Sequence, residues 1–402
     1  MPTAVETAIR NLASPVPAAK ERAAMELGQL AAMSDANKVA IAEDSIASLV
    51  ALLRDGAPAA KGWAAMTLAV IAQKHLDTRV AVAQAGGIAP LVALLRDGTQ
   101  QAQEQAACAL RNVAANNEAN QLFIAQASGI APLVALLSDG TPAAQEAAVC
   151  ALGNLAANNE ANQSAIAQAG GIAALATLTR DGTPSVKERS ACALGNLAAD
   201  NDANQVAIAR AGGIDPLVAL LRDGAPPAKE RAACALGNLA ANNGANQSAI
   251  TQAGVIAPLL ALVRDGTPGA KERAACALGH IATNNEATQS AIAQAGGIAP
   301  LVALFRNGAP DARDEAAQAL GSIGANNDGM PLGRKSSLLR KPAASPAASQ
   351  PRATPCIGRL HSTPTGARHR RTPANTTESQ FRGYTQRSWT IIKGPYSDKI
   401  MR

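Results

Sequence analysis

The stretch "CALGNLAANN", Cys150–Asn159, returns as "CALGNLAADN" at Cys192–Asn201 and as "CALGNLAANN" at Cys234–Asn243, 42 residues on each time. Other marks keep the same step. The tripeptide "RDG" or a variant begins at Arg54, Arg96, Ser138, Arg180, Arg222, Arg264 and Arg306, and "CAL" cysteines stand at Cys108, Cys150, Cys192, Cys234 and Cys276. An earlier unit from about Pro15 fits after a one-residue deletion, with "AEDSI" (Ala42–Ile46) in place of "AQAGGI". Eight units, the first and last atypical, carry the pattern to about Asn327. A fixed period of this length marks a stack of supersecondary units, each burying its apolar side against its neighbours.

Each unit reads as three helices. From Asp200 on, "DND" offers N-capping side chains to a short helix at about Ala203–Ala211, which the pair Gly212–Gly213 ends. "IDPLVALLR" (Ile214–Arg222) follows, with Pro216 in its first turn, and stops at "DGAP". The third and longest helix spans about Pro227–Ala241. Hydrophobic residues make up 48% of the chain and aromatics only 2%, so alanine and leucine must fill the core, as suits closely packed helices.

On a wheel of about 100° per residue, Ala191, Leu197 and Ala198 fall within about 60° of Leu194 and form the apolar stripe. Cys192 and Asn196 fall near 160° and 200°, roughly opposite. Stacking turns such positions into rows. One row is Asn112, Asn154, Asn196 and Asn238, flanked by Gln29 and Val70 before and by His280 and Ser322 after. A carboxamide both donates and accepts, so a row of them can hold an extended main chain without reading its side chains; local hydrogen bonds that steady the third helices are the alternative. A second row is Glu104, Glu146, Glu188, Glu230 and Glu272, continued by Asp314, with Arg189, Arg231 and Arg273 one residue on. It reads as a solvated face or as an acidic rail that favours basic partners.

The segments "NQSAIAQAGGI", "APLVALLRDG" and "KERAACALGNLAANN" recur in that order. In them the chain resembles the armadillo repeat family, most closely the vacuolar protein 8-like group. The resemblance implies an all-α, right-handed solenoid of about eight three-helix repeats over residues 1–328, with third helices lining a concave groove. It also implies that the asparagine row binds extended segments of protein partners, and that the chain is an adaptor or scaffold. An importin-alpha-like transport receptor is a second possibility. There tryptophans precede the asparagines by four residues, whereas this chain has Met66, Cys108, Cys150, Cys192, Cys234, Cys276 and Gln318 at that place. The substrate-recognition subunit of a ubiquitin ligase is a third, with no U-box expected before Pro15.

No enzymatic motif appears, and His75, His280, His361 and His369 are scattered. The cysteines lie one repeat apart. Adjacent helices at roughly 8–10 Å exceed the reach of a disulfide, and no close ligand pairs suit zinc. No catalytic residue, metal or cofactor is expected. The sequons at Asn162, Asn246 and Asn375 read as chance matches, since no signal peptide is recognisable. No transmembrane helix is expected, and Pro2 excludes myristoylation of the chain as written. Cytoplasm is the expected location, with the nucleus and the face of a vacuolar membrane as the other places left open.

Charge divides unevenly. Residues 1–328 hold 22 Lys+Arg and 28 Asp+Glu, net −6; residues 329–402 hold 14 and 2, net +12. That Pro-, Ser-, Thr- and Arg-rich tail is expected to be mostly disordered. It is a candidate ligand for the solenoid itself and the one segment suited to nucleic acid.

Overall fold

The computed structural model describes residues 3–324. The expectations for residues 329–402, including the sequon at Asn375, lie outside the described residues. Among the described residues there are twenty-two α-helices, α1–α22 in chain order, and no strand. Eight of them are the third helices of successive units: α2 (Pro17–Met33), α4 (Pro58–Ile71), α7 (Gln100–Ala114), α10 (Pro142–Ala156), α13 (Pro184–Ala198), α16 (Pro226–Ala240), α19 (Pro268–Ala282) and α22 (Pro310–Gly324). Each packs against the next in this series. In the unit used above, α14 (Asp202–Arg210), α15 (Ile214–Asp223) and α16 have every end within one residue of its expected place.

The punctuation explains the boundaries. The first helix of a unit begins at an N-cap asparagine: the side chains of Asn117, Asn159, Asn201, Asn243 and Asn285 accept from the amide three residues on. It ends where the chain turns left-handed, at φ 72–82° for Gly170, Gly212, Gly254, Gly296 and Gly86. Ser128 takes this conformation without glycine's freedom, at φ 59°. At the other end of the third helix Asn116, Asn158, Asp200, Asn242 and Asn284 are also left-handed, at φ 51–56°. The "NN" that closes "CALGNLAANN" is thus a left-handed residue followed by an N-cap.

The first unit departs from the three-helix reading. α3 (Asp35–Asp55) is one helix of 21 residues where later units have two. Ala42–Ile46 supplies no glycine to leave the helix, so the chain runs on. An unanticipated helix, α1 (Ala4–Leu12), precedes the first unit and packs on α2 and α3. Its signal was present: Thr3 and Glu6 form a reciprocal capping box.

The wheel placed the core correctly. Ala191, Leu194, Leu197 and Ala198 are at most 1% exposed. Between third helices the fit depends on glycine. A methyl group on Gly237 would lie 3.1 Å from Ala277 Cα, and one on Gly279 3.3 Å from Ala319 Cα. No single helix among the described residues is long and apolar enough to cross a membrane.

Candidate functional site

The asparagine row sits on the third helices, but in the seams between them. Asn112 donates Nδ2–H to Ala69 O (2.7 Å), Asn154 to Arg111 O (2.8 Å), Asn196 to Gly153 O (2.9 Å) and Asn238 to Gly195 O (3.0 Å). Every bond runs to the residue 43 positions earlier, on the preceding third helix. A carbonyl only accepts, so the amide group faces back along the stack. His280 occupies the next rung and repeats the bond, with Nδ1 2.9 Å from Gly237 O; that nitrogen must carry the proton. Asn112, Asn196 and Asn238 are 9%, 1% and 2% exposed. The wheel put this row opposite the apolar stripe, but it could not show that the neighbouring helix covers that position. Asn112 Oδ1 also accepts from Arg111 Nε (3.2 Å). Asn154 is half-buried, and its Oδ1 accepts no hydrogen bond among the described residues.

A second polar ladder was missed at the sequence level. It is the glutamine of "NQ" on each first helix. Gln163 Nε2 donates to Ala156 O (3.2 Å) at the end of the preceding unit's third helix, and to Asn196 O (3.0 Å) and Ala199 O (3.3 Å) at the end of its own unit's third helix. Gln205 and Gln247 repeat the pattern onto Asn238 and Ala241, and onto His280 and Thr283. These groups satisfy carbonyls that the end of a helix leaves without partners. Arg79 serves the same seam in its unit, donating to Ala72, Gln73 and Ala115 carbonyls, and burial lowers its pKa. Polar residues recurring every 42 positions, each three residues before an isoleucine or valine, were the available signal. Asn162 and Asn246, the sequon asparagines, are buried and donate to Leu155 O and Leu239 O. The "RDG" arginines also bridge units: Arg54, Arg96 and Arg222 cap the carbonyls of Ala85, Ser128 and Ala253.

The cysteine row lies one helical turn before the amides. Cys108, Cys150, Cys192 and Cys276 are free thiols of intermediate exposure. Burial raises the pKa of each, that of Cys192 to about 11. Such thiols are poor nucleophiles at neutral pH. No group of three or more His, Cys, Asp or Glu among the described residues is arranged to hold a metal ion.

The acidic row is half-buried at every rung from Glu104 to Glu272. Glu104 Oε2 accepts from the Thr141 hydroxyl of the next unit (3.4 Å), and Glu272 lies 3.6 Å from Arg273 Nη2. Burial raises the pKa of Glu272 and of Glu315, which stands where units five to seven carry Arg189, Arg231 and Arg273. Carboxylates lifted in this way gain from a cation that enters beside them.

Known proteins bear on this face. A family model described as the plant U-box protein ARM repeat region matches residues 4–275. No curated protein matches the chain. An engineered protein of solved structure is 31% identical with a TM-score of 0.75, covering 81% of this chain and 79% of its own. A designed armadillo repeat protein in complex with the peptide (KR)4 is 26% identical with a TM-score of 0.55, covering 59% of this chain and 99% of its own.

Proposed function

This chain belongs to the armadillo repeat family described by the plant U-box protein ARM repeat region, and on that premise we propose that it is a non-catalytic adaptor whose third-helix groove holds extended segments of other proteins, basic ones preferred. The observation that carries this is the unbroken row of half-buried glutamates, Glu104 to Glu272, running beside the amide row. The designed armadillo protein with (KR)4 supports it by likeness. In this reading the amides have two tasks. One N–H of Asn112, Asn154, Asn196 and Asn238 sets the spacing between third helices. The remaining valences of Asn154, which is half-buried, meet a ligand's main chain. The repeat texture supports the finer vacuolar protein 8-like assignment, a cytoplasmic scaffold brought to a vacuolar membrane by a partner.

Fluorescence anisotropy with labelled (KR)4 tests the proposal. Replacing Glu104, Glu146 and Glu188 together with glutamine should weaken binding at least tenfold at low salt without lowering the melting temperature. Unchanged affinity would refute the acidic rail. A second reading, favoured by the family match, makes the same groove the substrate-recognition part of a ubiquitin ligase. Ubiquitin transfer to a captured partner, lost with the same three substitutions, would select it.

A further inference from the structure

We propose that Arg111 decides what the groove accepts: it closes the amide row beyond Asn154 and receives a carboxylate that ends the ligand's basic segment. This rests on the reading of the groove as the binding face. Small residues fill the place of Arg111 in neighbouring units: Ala69 in the unit before, and Gly153, Gly195, Gly237 and Gly279 in the four after. On α7 the same place carries a long cation.

Arg111 holds two successive rungs. Its carbonyl accepts from Asn154 Nδ2 (2.8 Å), and its Nε–H donates to Asn112 Oδ1 (3.2 Å). Asn112 Nδ2 is bonded to Ala69 O (2.7 Å), so both ends of that carboxamide are engaged within the protein. Asn154 Oδ1 accepts nothing among the described residues. A main chain that follows the row past Asn154 therefore meets a guanidinium at the next rung. That guanidinium is half-buried, and its Nη groups make no hydrogen bond or ion pair among the described residues. Burial raises the pKa of Cys108 and Cys150, and Arg111 opposes the rise at both, which puts it beside the thiols of two adjacent third helices. Glu104 stands seven residues earlier on α7, about 10 Å along the axis, too far to neutralise it. A guanidinium repels lysine and arginine and offers a carboxylate a fork of N–H donors. Basic side chains that suit Glu146 and Glu188 are thus turned away at Asn112, where a carboxylate fits.

The test uses the full-length chain and two full-length variants. Arg111→Ala installs the residue found at Ala69, and Arg111→Lys keeps the charge without the fork. Four peptides are titrated by calorimetry at low salt: (KR)4 with both termini blocked, the blocked peptide with glutamate added at either end, and (KR)4 with a free C-terminal carboxylate. Wild type should bind at least one carboxylate-bearing peptide about fivefold more tightly than blocked (KR)4. Arg111→Ala should lose that preference and bind blocked (KR)4 about threefold more tightly than wild type, since a like charge has gone. Arg111→Lys should bind blocked (KR)4 as wild type does and lose most of the preference. Tighter binding by the alanine variant also shows that it is folded. A gain from added glutamate assigns a side chain, and a gain from the free terminus alone assigns the end of a chain; either supports the proposal. If blocked (KR)4 binds, and neither added carboxylates nor the substitutions change the affinity, the role of Arg111 is overturned while the adaptor reading survives. If no peptide binds wild type or either variant, both fall together.

Discussion

Gln163 and Gln121 occupy the same place in successive units, and the structure predicts opposite consequences for the same substitution. Gln163 donates to three carbonyls at 3.0–3.3 Å, and its Oε1 accepts from Asn201 Nδ2 at 2.9 Å. It is 3% exposed. Gln121, also 3% exposed, makes one long bond, to Ala114 O at 3.4 Å, and its Oε1 is buried with no partner. Methionine keeps the length of the stem and removes the amide. At about 1 kcal/mol for each buried bond, with the Asn201 amide left unmatched, Gln163→Met should cost about 2–4 kcal/mol. Gln121→Met removes an unsatisfied acceptor along with a weak donor, and should cost less than about 0.5 kcal/mol or stabilise slightly. Urea unfolding followed by far-ultraviolet circular dichroism would measure the difference. Amide hydrogen exchange at the C-terminal turn of α13 should speed up only in the Gln163 variant. Equal losses for both variants, or a Gln163 loss below about 0.5 kcal/mol, would refute the view that this ladder binds unit to unit.

Other outcomes follow from single positions. Ser190 is fully buried with an unpartnered hydroxyl where the neighbouring units carry Ala106, Ala148, Ala232 and Ala274; Ser190→Ala should raise stability by about 1 kcal/mol in the same unfolding assay. Gly237→Ala would push its methyl against Ala277 Cα and should cost about 1–3 kcal/mol, seen as a lowered melting temperature. Ser128→Gly relieves a left-handed serine and should gain about 0.5–1 kcal/mol by chemical denaturation. The Cys192 thiol, raised from 9.0 to about 11, should alkylate about a hundredfold more slowly than an exposed thiol at pH 7.5. Its rate should climb tenfold per pH unit up to that value, as mass-spectrometric footprinting with iodoacetamide would show.

The repeat, the helix boundaries and the core stripe were legible because each depends on residues close in sequence. Gly212–Gly213 ends a helix wherever it occurs, and Leu194 with Leu197 makes a stripe on any wheel. What stayed hidden was set by the neighbouring unit. Nothing within α13 shows that Asn196 reaches Gly153 O, because that carbonyl belongs to α10. The acidic row was visible, whereas its half-burial depends on how third helices pack. Gln163 and Gln121 are alike in sequence; only the placement of the third helix that closes each one's unit separates a bonded amide from an orphaned one. α3 and α1 are different cases. The missing glycine in Ala42–Ile46 and the Thr3–Glu6 box were both plain in the chain.

The 43-residue hydrogen bond also sets a rule for how this protein can change length. Each amide pairs with the residue just before the amide of the previous rung, so removing or duplicating 42 residues between Ala69 and Gly237 brings an equivalent carbonyl to every donor. An insertion within a third helix that is not a whole unit would shift donor against carbonyl. Recombination between copies can therefore lengthen or shorten the solenoid one whole unit at a time and leave every seam chemically complete. Its size is free to vary, but only in steps.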